Sequence, residues 1–270
     1  MNSEISNEQV EFYRNNGYAV CHEFLSAEEL EEWRNAVDDA VTGRGQQRIL
    51  GQMGGATNEY YDNVFVQRVN LWQDNEKMRK IMLDARLGKM AARLAGVEGI
   101  RIWHDQALIK KPYANPTGWH LDNPYWSFFS RDAITIWVAL DDVTIENGCL
   151  WFLPGTHQLA TYDNVGIGPN MSDLFKVYKD WSKISAKPVV IKAGSCSWHN
   201  GLIAHAAGPN MTIGVRRAMT CAYMPDGSTF NGQRNILREE QIAKLQIGDV
   251  LEDDAQTPLI YHPTKPIVTA

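Results

Sequence analysis

Near residue 100 the hydrophobic pattern of this chain changes period, and that change limits the folds open to it more than any other feature. Before it, apolar residues recur at helical spacing: in LSAEELEEWRNAVDDAV, Leu30, Trp33 and Val37 fall on one side of a helix. Ser6-x-x-Gln9 and Ser26-x-x-Glu29 both have the form of capping boxes, which satisfy the orphan N–H groups of a first helical turn. Helices are therefore predicted to start at both. GYAVCHEF between them reads as a short strand. A further helix is predicted from Asn75 to Leu94, with Gly96 just past its end. Residues 43–63 carry Gly, Gln and Asn with little periodicity and read as a long loop.

After residue 100 the pattern alternates. Strand side chains point to opposite faces in turn, so in RIWHDQALIKK the residues His104, Gln106, Leu108 and Lys110 share a face. In AITIWVAL one face is wholly aliphatic (Ile134, Ile136, Val138, Leu140), and Thr135, Trp137 and Ala139 form the other. CLWFL, PVVIKAGS, GLIAHAA and RRAMTCAYM read as further strands between Gly, Pro and Asn turns. QRNILREEQIAKLQIGD reads as a late helix, and the tail after Asp253 as extended. Several short strands with turn residues between them indicate a sandwich or barrel. The expectation is an α+β chain forming one domain. Its helical part covers about 1–99, a β-barrel core about 100–225, and a C-terminal helix and tail 226–270.

Composition enters mainly by exclusion. The net charge is −6 over 270 residues with no basic run, so no nucleic-acid partner is expected. There is no stretch of roughly 18 apolar residues, so no membrane span is expected. The polar, acidic first residues do not read as a signal peptide. Four cysteines scattered without CxxC pairing suit a reduced, cytoplasmic protein. Nine tryptophans is a high count, and several flank the motifs that carry chemistry.

Those motifs begin with GWHLDNPYW. At i and i+2 on a strand, His120 and Asp122 would project to one face and could share a metal ion. Two histidines and one carboxylate leave the opposite positions of a metal open, which suits non-heme Fe(II) and oxygen chemistry. His104, His157, His199, His205 and His262 could each supply the third ligand. His205 is the best placed, because GLIAHAAGPN sets it on a strand face with Ile203 and Ala207 before a GPN turn. Beyond that turn Arg216 shares a face with Ala218, Thr220 and Ala222, small enough to line a cavity. A buried arginine holds a carboxylate bidentately, which makes Arg216 a candidate anchor for a dicarboxylate.

This constellation resembles the phytanoyl-CoA dioxygenase family of Fe(II)/2-oxoglutarate-dependent oxygenases. The likeness runs from NEQVEFYRNNGYAV to about Pro225 and is carried by GWHLD, ENGCLWFLPGTH and SWHNGLIAHAAGPNMTIGVRRA. The resemblance implies a double-stranded β-helix (jelly roll) with flanking N-terminal helices. It implies iron held by His120, Asp122 and His205, with 2-oxoglutarate and O2 as cosubstrates. Arg216 would bind the distal carboxylate of 2-oxoglutarate, and Thr135, Gln106 and Lys110 would lie near it, the lysine standing where ectoine hydroxylase has an asparagine. The chain departs from the family in reading WHLD where WHQD is common. Asp122 is present, whereas related halogenases replace the acidic ligand, so halogenation is disfavoured.

The implied reaction is hydroxylation of an unactivated C–H of a small molecule with release of succinate and carbon dioxide. Asn123, Tyr125, Trp126, Trp137, Trp198 and His199 surround the motifs and are expected to wall the substrate, which an aromatic pocket would suit if apolar or cationic. His157, in PGTH, reads as structural. Two rival functions use the same residues: a zinc hydrolase or cupin-like isomerase, and a non-catalytic binding protein. The first does not explain a buried arginine aimed at an open metal site, and the second would have no need to keep all three ligands. The substrate and the oligomeric state are not legible in the sequence.

Overall fold

The computed structural model describes residues 1–49 and 59–270. Helices α1 (Asn7–Asn16) and α2 (Ala27–Arg44) start at the two capping boxes, where Ser6 and Ser26 accept from the backbone and Gln9 and Glu29 return the bond. Strand β1 (Tyr18–Cys21) lies between them. Residues 50–58 of the predicted 43–63 loop lie outside the described residues; α2 takes the loop's start and α3 (Glu59–Asp62) its end. Strand β2 (Val66–Val69) follows.

The helix predicted from Asn75 to Leu94 is two helices, α4 (Glu76–Met82) and α5 (Ala85–Ala95). Asn75 caps the first through Met78 N–H, and Asp84 caps the second through Arg86 N–H. A short Asx side chain competes for backbone donors, so Asp84 ends one helical run and starts another. Gly96 closes α5 at φ 77°, a left-handed conformation that glycine adopts without a Cβ clash.

The strands continue as β3 (Ile100–Lys110), β4 (Thr117–His120), β5 (Ile134–Ala139), β6 (Leu150–Phe152), β7 (Lys187–Val189), β8 (Cys196–Asn200), β9 (His205–Ala207), β10 (Arg216–Pro225) and β11 (Leu259–Tyr261). Short helices α6 (Thr156–Leu159), α7 (Leu174–Val177) and α8 (Glu239–Ile242) decorate the connections. A seven-stranded sheet in the order β1-β8-β5-β10-β3-β11, with β2 also on β3, faces a four-stranded sheet β4-β9-β6-β7. All their pairings are antiparallel. This is the expected jelly roll.

The large sheet sorts its side chains as the alternation predicts. Ile134, Ile136, Val138 and Leu140 join Met219, Cys221 and Tyr223 in the core beneath α2, α4 and α5. On the other face, Trp137, Ala139 and Ala218 meet Leu150 and Phe152 of the small sheet.

Three expectations are corrected. Strand β8 was not foreseen, yet it joins β1 to β5. GLIAHAA contributes only its last three residues as strand, and β9 and β10 enter different sheets although only the GPN turn and a short run separate them. The late helix shrinks to α8, because Asn235 (φ 41°) and Gly248 (φ 99°) break the helical path. Ile236 and Leu237 instead pack around Trp103 and Phe128.

Candidate metal centre and cosubstrate pocket

His120 ends β4, and its register partner across the ladder is His205 at the start of β9. The two rings lie 4.2 Å apart, centre to centre. Asp122 joins them by a route other than the expected strand alternation. β4 stops at His120, and Asp122 sits in a helical conformation (φ −82°, ψ −51°) at the head of a 3-10 turn, Asn123–Tyr125. The N–H groups of Asp122 and Asn123 both donate to the Gly201 carbonyl, at 3.0 and 2.8 Å, and hold that turn in place.

The tautomers follow from the backbone. His120 Nδ1 lies 2.8 Å from the Gly118 carbonyl and His205 Nδ1 3.1 Å from the Ile203 carbonyl. A carbonyl only accepts, so each Nδ1 carries a proton and Nε2 is the ring atom left to face a metal. The two Nε2 atoms converge on Asp122 Oδ1, at 3.5 Å from His120 and 3.7 Å from His205. Burial, and next the adjoining His120, push His205 down to about 3, so it is neutral at pH 7. Burial would raise the Asp122 carboxyl, but the surrounding imidazoles, His199 Nε2 on Oδ2 among them, outweigh it and hold the group well below the usual carboxylate range. His120, Asp122 and His205 each offer one ligand atom, all within 4.8 Å of one another, the spacing of a metal site.

His199, expected as a substrate contact, lines the cavity and is also an Asp122 partner: its Nε2 lies 3.3 Å from Oδ2. An Nε2–H there donates to the oxygen that the other two histidines leave free, fixing the carboxylate's rotation.

The triad opens onto a cavity of about 340 Å³. Arg216 lines it while being only 3% exposed. Its guanidinium carbon lies 5.1 Å from the centre of the Trp137 ring, and Nη2 donates to the Gly148 carbonyl at 3.1 Å. Nε and Nη1 are buried with no partner, as are the hydroxyls of Thr135 and Thr117 on the same cavity wall. Burial lowers Arg216 to about 10, which leaves it charged at neutral pH. Unsatisfied buried donors cost about 1–3 kcal/mol each, more when charged, so this cluster is built for an anion. Gly148 permits the approach: its φ is +92°, and a Cβ there would stand 2.8 Å from Lys110 Cδ.

Lys110 is wholly buried rather than at an exposed strand end, and its Nζ donates to the carbonyls of Asn115 (2.5 Å) and Val64 (3.2 Å). Burial, then the Arg216 cation, lower it to about 7. Gln106 reaches the cavity too, bonded to the side chain of Gln67. Tyr125, Trp126 and Trp137 line the cavity. Two expected wall residues do not. Trp198 points the other way, into the helix-covered core against Tyr223. Asn123 spends its amide on the Phe128 carbonyl and Ser130 N–H. His157 is structural, bonded to the Arg14 carbonyl at 3.0 Å. Sequence reasoning missed Thr117, Gln67, Tyr61 and Arg48, all on the cavity wall; none of them stands in a motif.

A jelly roll carrying two histidines and a carboxylate at one end of its small sheet, with an unpaired arginine deeper in the same cavity, defines a non-heme metal oxygenase that takes an organic acid as cosubstrate. The sequence profile of the family "Phytanoyl-CoA dioxygenase (PhyH)" matches residues 13–218. The chain belongs to that family. Peroxisomal phytanoyl-CoA dioxygenase of Bos taurus is 25% identical over 234 residues, covering 82% of this chain and 69% of that one. The non-heme alpha ketoglutarate dependent carbocyclase SnoK from nogalamycin biosynthesis superposes with a TM-score of 0.78 at 28% identity, covering 95% of this chain and 96% of its own. The epimerase SnoN, solved with Fe3+, alpha ketoglutarate and nogalamycin RO, gives 0.72 at 25% identity over 94% and 97%.

Proposed function

We propose that this chain, acting as one domain, hydroxylates an unactivated C–H of a small-molecule metabolite. As a family member it is an Fe(II)/2-oxoglutarate-dependent oxygenase. His120, Asp122 and His205 would hold the iron, and two imidazoles with one carboxylate are the donor set Fe(II) takes. When bound, the iron supplies activation of dioxygen coupled to oxidative decarboxylation of 2-oxoglutarate to succinate and carbon dioxide.

The observation that carries this reading is the unpaired pair of Arg216 donors. A carboxylate can accept from the unpartnered Nη1, and the free hydroxyl of Thr135 adds a further donor. Lys110 lends positive charge beside it, and Trp137 keeps the guanidinium plane fixed. His199 orients Asp122, and Tyr125 and Trp126 shield the reacting end from water. A zinc hydrolase or a binding-only relative would have no use for those donors.

Four free, buried cysteines support a reducing compartment, and we place the protein in the cytoplasm. Among the described residues no helix is long and apolar enough to cross a membrane.

The test is stoichiometric turnover. Purified chain with Fe(II), ascorbate and 2-oxoglutarate should form succinate and carbon dioxide one to one, slowly without substrate and faster with it. Arg216→Lys should raise KM for 2-oxoglutarate far more than it lowers kcat. No succinate from iron-loaded protein under any of a broad metabolite panel would sink the proposal.

A further inference from the structure

The oxygenase reading gives tasks to Asp122, to His120, His199 and His205, and to Arg216, Thr135 and Lys110, and among the described residues leaves one cation on the cavity wall without one. Arg48 lines the same cavity at its solvent-exposed rim. Its backbone is pinned: Val69 N–H donates to the Arg48 carbonyl at 2.8 Å, and the next residue, Ile49, bridges Val69. Its guanidinium carbon lies 5.6 Å from the centre of the Tyr61 ring. A contact with a ring face orients the planar fork without using up its hydrogen-bond donors.

The charge is also uncompensated. Among the described residues Arg48 makes no ion pair, and the sequence holds no Asp or Glu between Asp39 and Glu59, so its own stretch cannot neutralise it. Among the described residues Asp122 is the only acid lining the cavity, and three imidazoles already engage it. A cationic substrate would therefore meet Arg48, Lys110 and Arg216 with no carboxylate to receive it. Beside neutral polar groups such as Gln67, Gln106 and Asn235 the wall is aromatic, with Phe65, Tyr125 and Trp126, and His104 lies edge-on to Trp126 at 5.9 Å between ring centres. His104 is 5% exposed and its Nδ1 has no partner, so a polar group on the ligand's body would be met there.

We propose that Arg48, held over Tyr61, selects the substrate by gripping an oxyanion group, so that this oxygenase acts on a small organic acid whose apolar body lies against Tyr125 and Trp126. The cationic surface allowed by the aromatic residues alone is thereby set aside. The shared chemistry is a carboxylate or a phosphonate, either of which a guanidinium fork accepts.

This assignment depends on the oxygenase reading, and the two fail differently. The chain is loaded anaerobically with Fe(II) and saturating 2-oxoglutarate, so that Arg216 and Lys110 are occupied and no turnover occurs. Uptake of 2-oxoglutarate is read first; if the wild type takes up none, the oxygenase reading fails and this assignment with it. The loaded protein is then titrated calorimetrically with 3-phenylpropionate, phenylphosphonate and the neutral 3-phenylpropionamide. At least one anion should bind about tenfold or more tightly than the amide, and which one does so names the oxyanion. Arg48→Ala should abolish that difference and leave the amide's affinity alone, while Arg48→Lys should keep part of it. Equal binding of anion and amide, no binding of either anion, or a preference that survives Arg48→Ala overturns the assignment.

Discussion

Arg216 and Arg217 are neighbours on β10, and the strand sends them to opposite sides of the large sheet. Arg217 is fully matched: Nε and Nη2 meet Asp141 at 3.1 and 2.8 Å, and Nη1 meets Asp38 at 2.7 Å. Arg216 is more deeply buried, yet two of its donor nitrogens meet nothing. The same contrast runs along the whole sheet. Below it, aliphatic and aromatic side chains fill the space under the helices. Above it, Thr135, Thr117 and the Arg216 cation keep polar atoms without partners among the described residues, whereas those left below are neutral, such as the Tyr223 hydroxyl and the Trp198 indole N–H. Folding alone accounts for the first face, because burying apolar surface and pairing charges lowers free energy. The second face is costly unless a ligand completes it.

Substitutions on the two faces should therefore separate stability from binding. Trp198→Ala, on the filled face, should destabilise the chain by about 3–5 kcal/mol in denaturant titration and leave 2-oxoglutarate affinity within about twofold. Arg216→Leu, on the open face, should do the reverse. It should weaken 2-oxoglutarate binding on the order of 100-fold, while the ligand-free chain keeps or gains stability because an unpaired buried charge is gone. If Arg216→Leu unfolds the protein, the contrast is wrong.

Lys110 sharpens the same point through pH. Its folded value is about 7 against the usual 10.5, so between those values the folded chain binds fewer protons than the unfolded one. Stability of the ligand-free protein should rise across that window, by on the order of 2 kcal/mol once cavity water is allowed for. A Lys110→Met variant measured alongside should lack the rise. The smallest effect is expected for Arg217→Ala: about 1 kcal/mol of stability, smaller at high salt, and no change in cosubstrate affinity.

Much of this was legible in the sequence because local rules decide it. The capping boxes at Ser6 and Ser26 start helices, and the alternation in β3, β5 and β10 puts Lys110, Thr135 and Arg216 on the cavity side. What escaped depends on pairing between distant segments. Ser197 and His199 alternate with Cys196 and Trp198 in β8, but only the β8–β5 register shows that Trp198 faces the helices, and only the tertiary fold sets His199 beside Asp122. Asp84 split a helix because a cap outweighed a continuous apolar period. Asp122 reached the metal position by a turn that Gly201 holds from a remote segment. Arg48 stands in no motif, and its meaning comes from the cavity it borders.

One titration bears most directly on the metal and cosubstrate site. Fe(II) is added anaerobically to the chain with 2-oxoglutarate present, and the weak visible charge-transfer band is followed. One equivalent of iron should bring the band to full height in the wild type. His205→Ala should show none, and Arg216→Leu should need on the order of 100-fold more 2-oxoglutarate to reach half height. A band that forms undiminished in His205→Ala, or one that never forms in the wild type, would contradict the site.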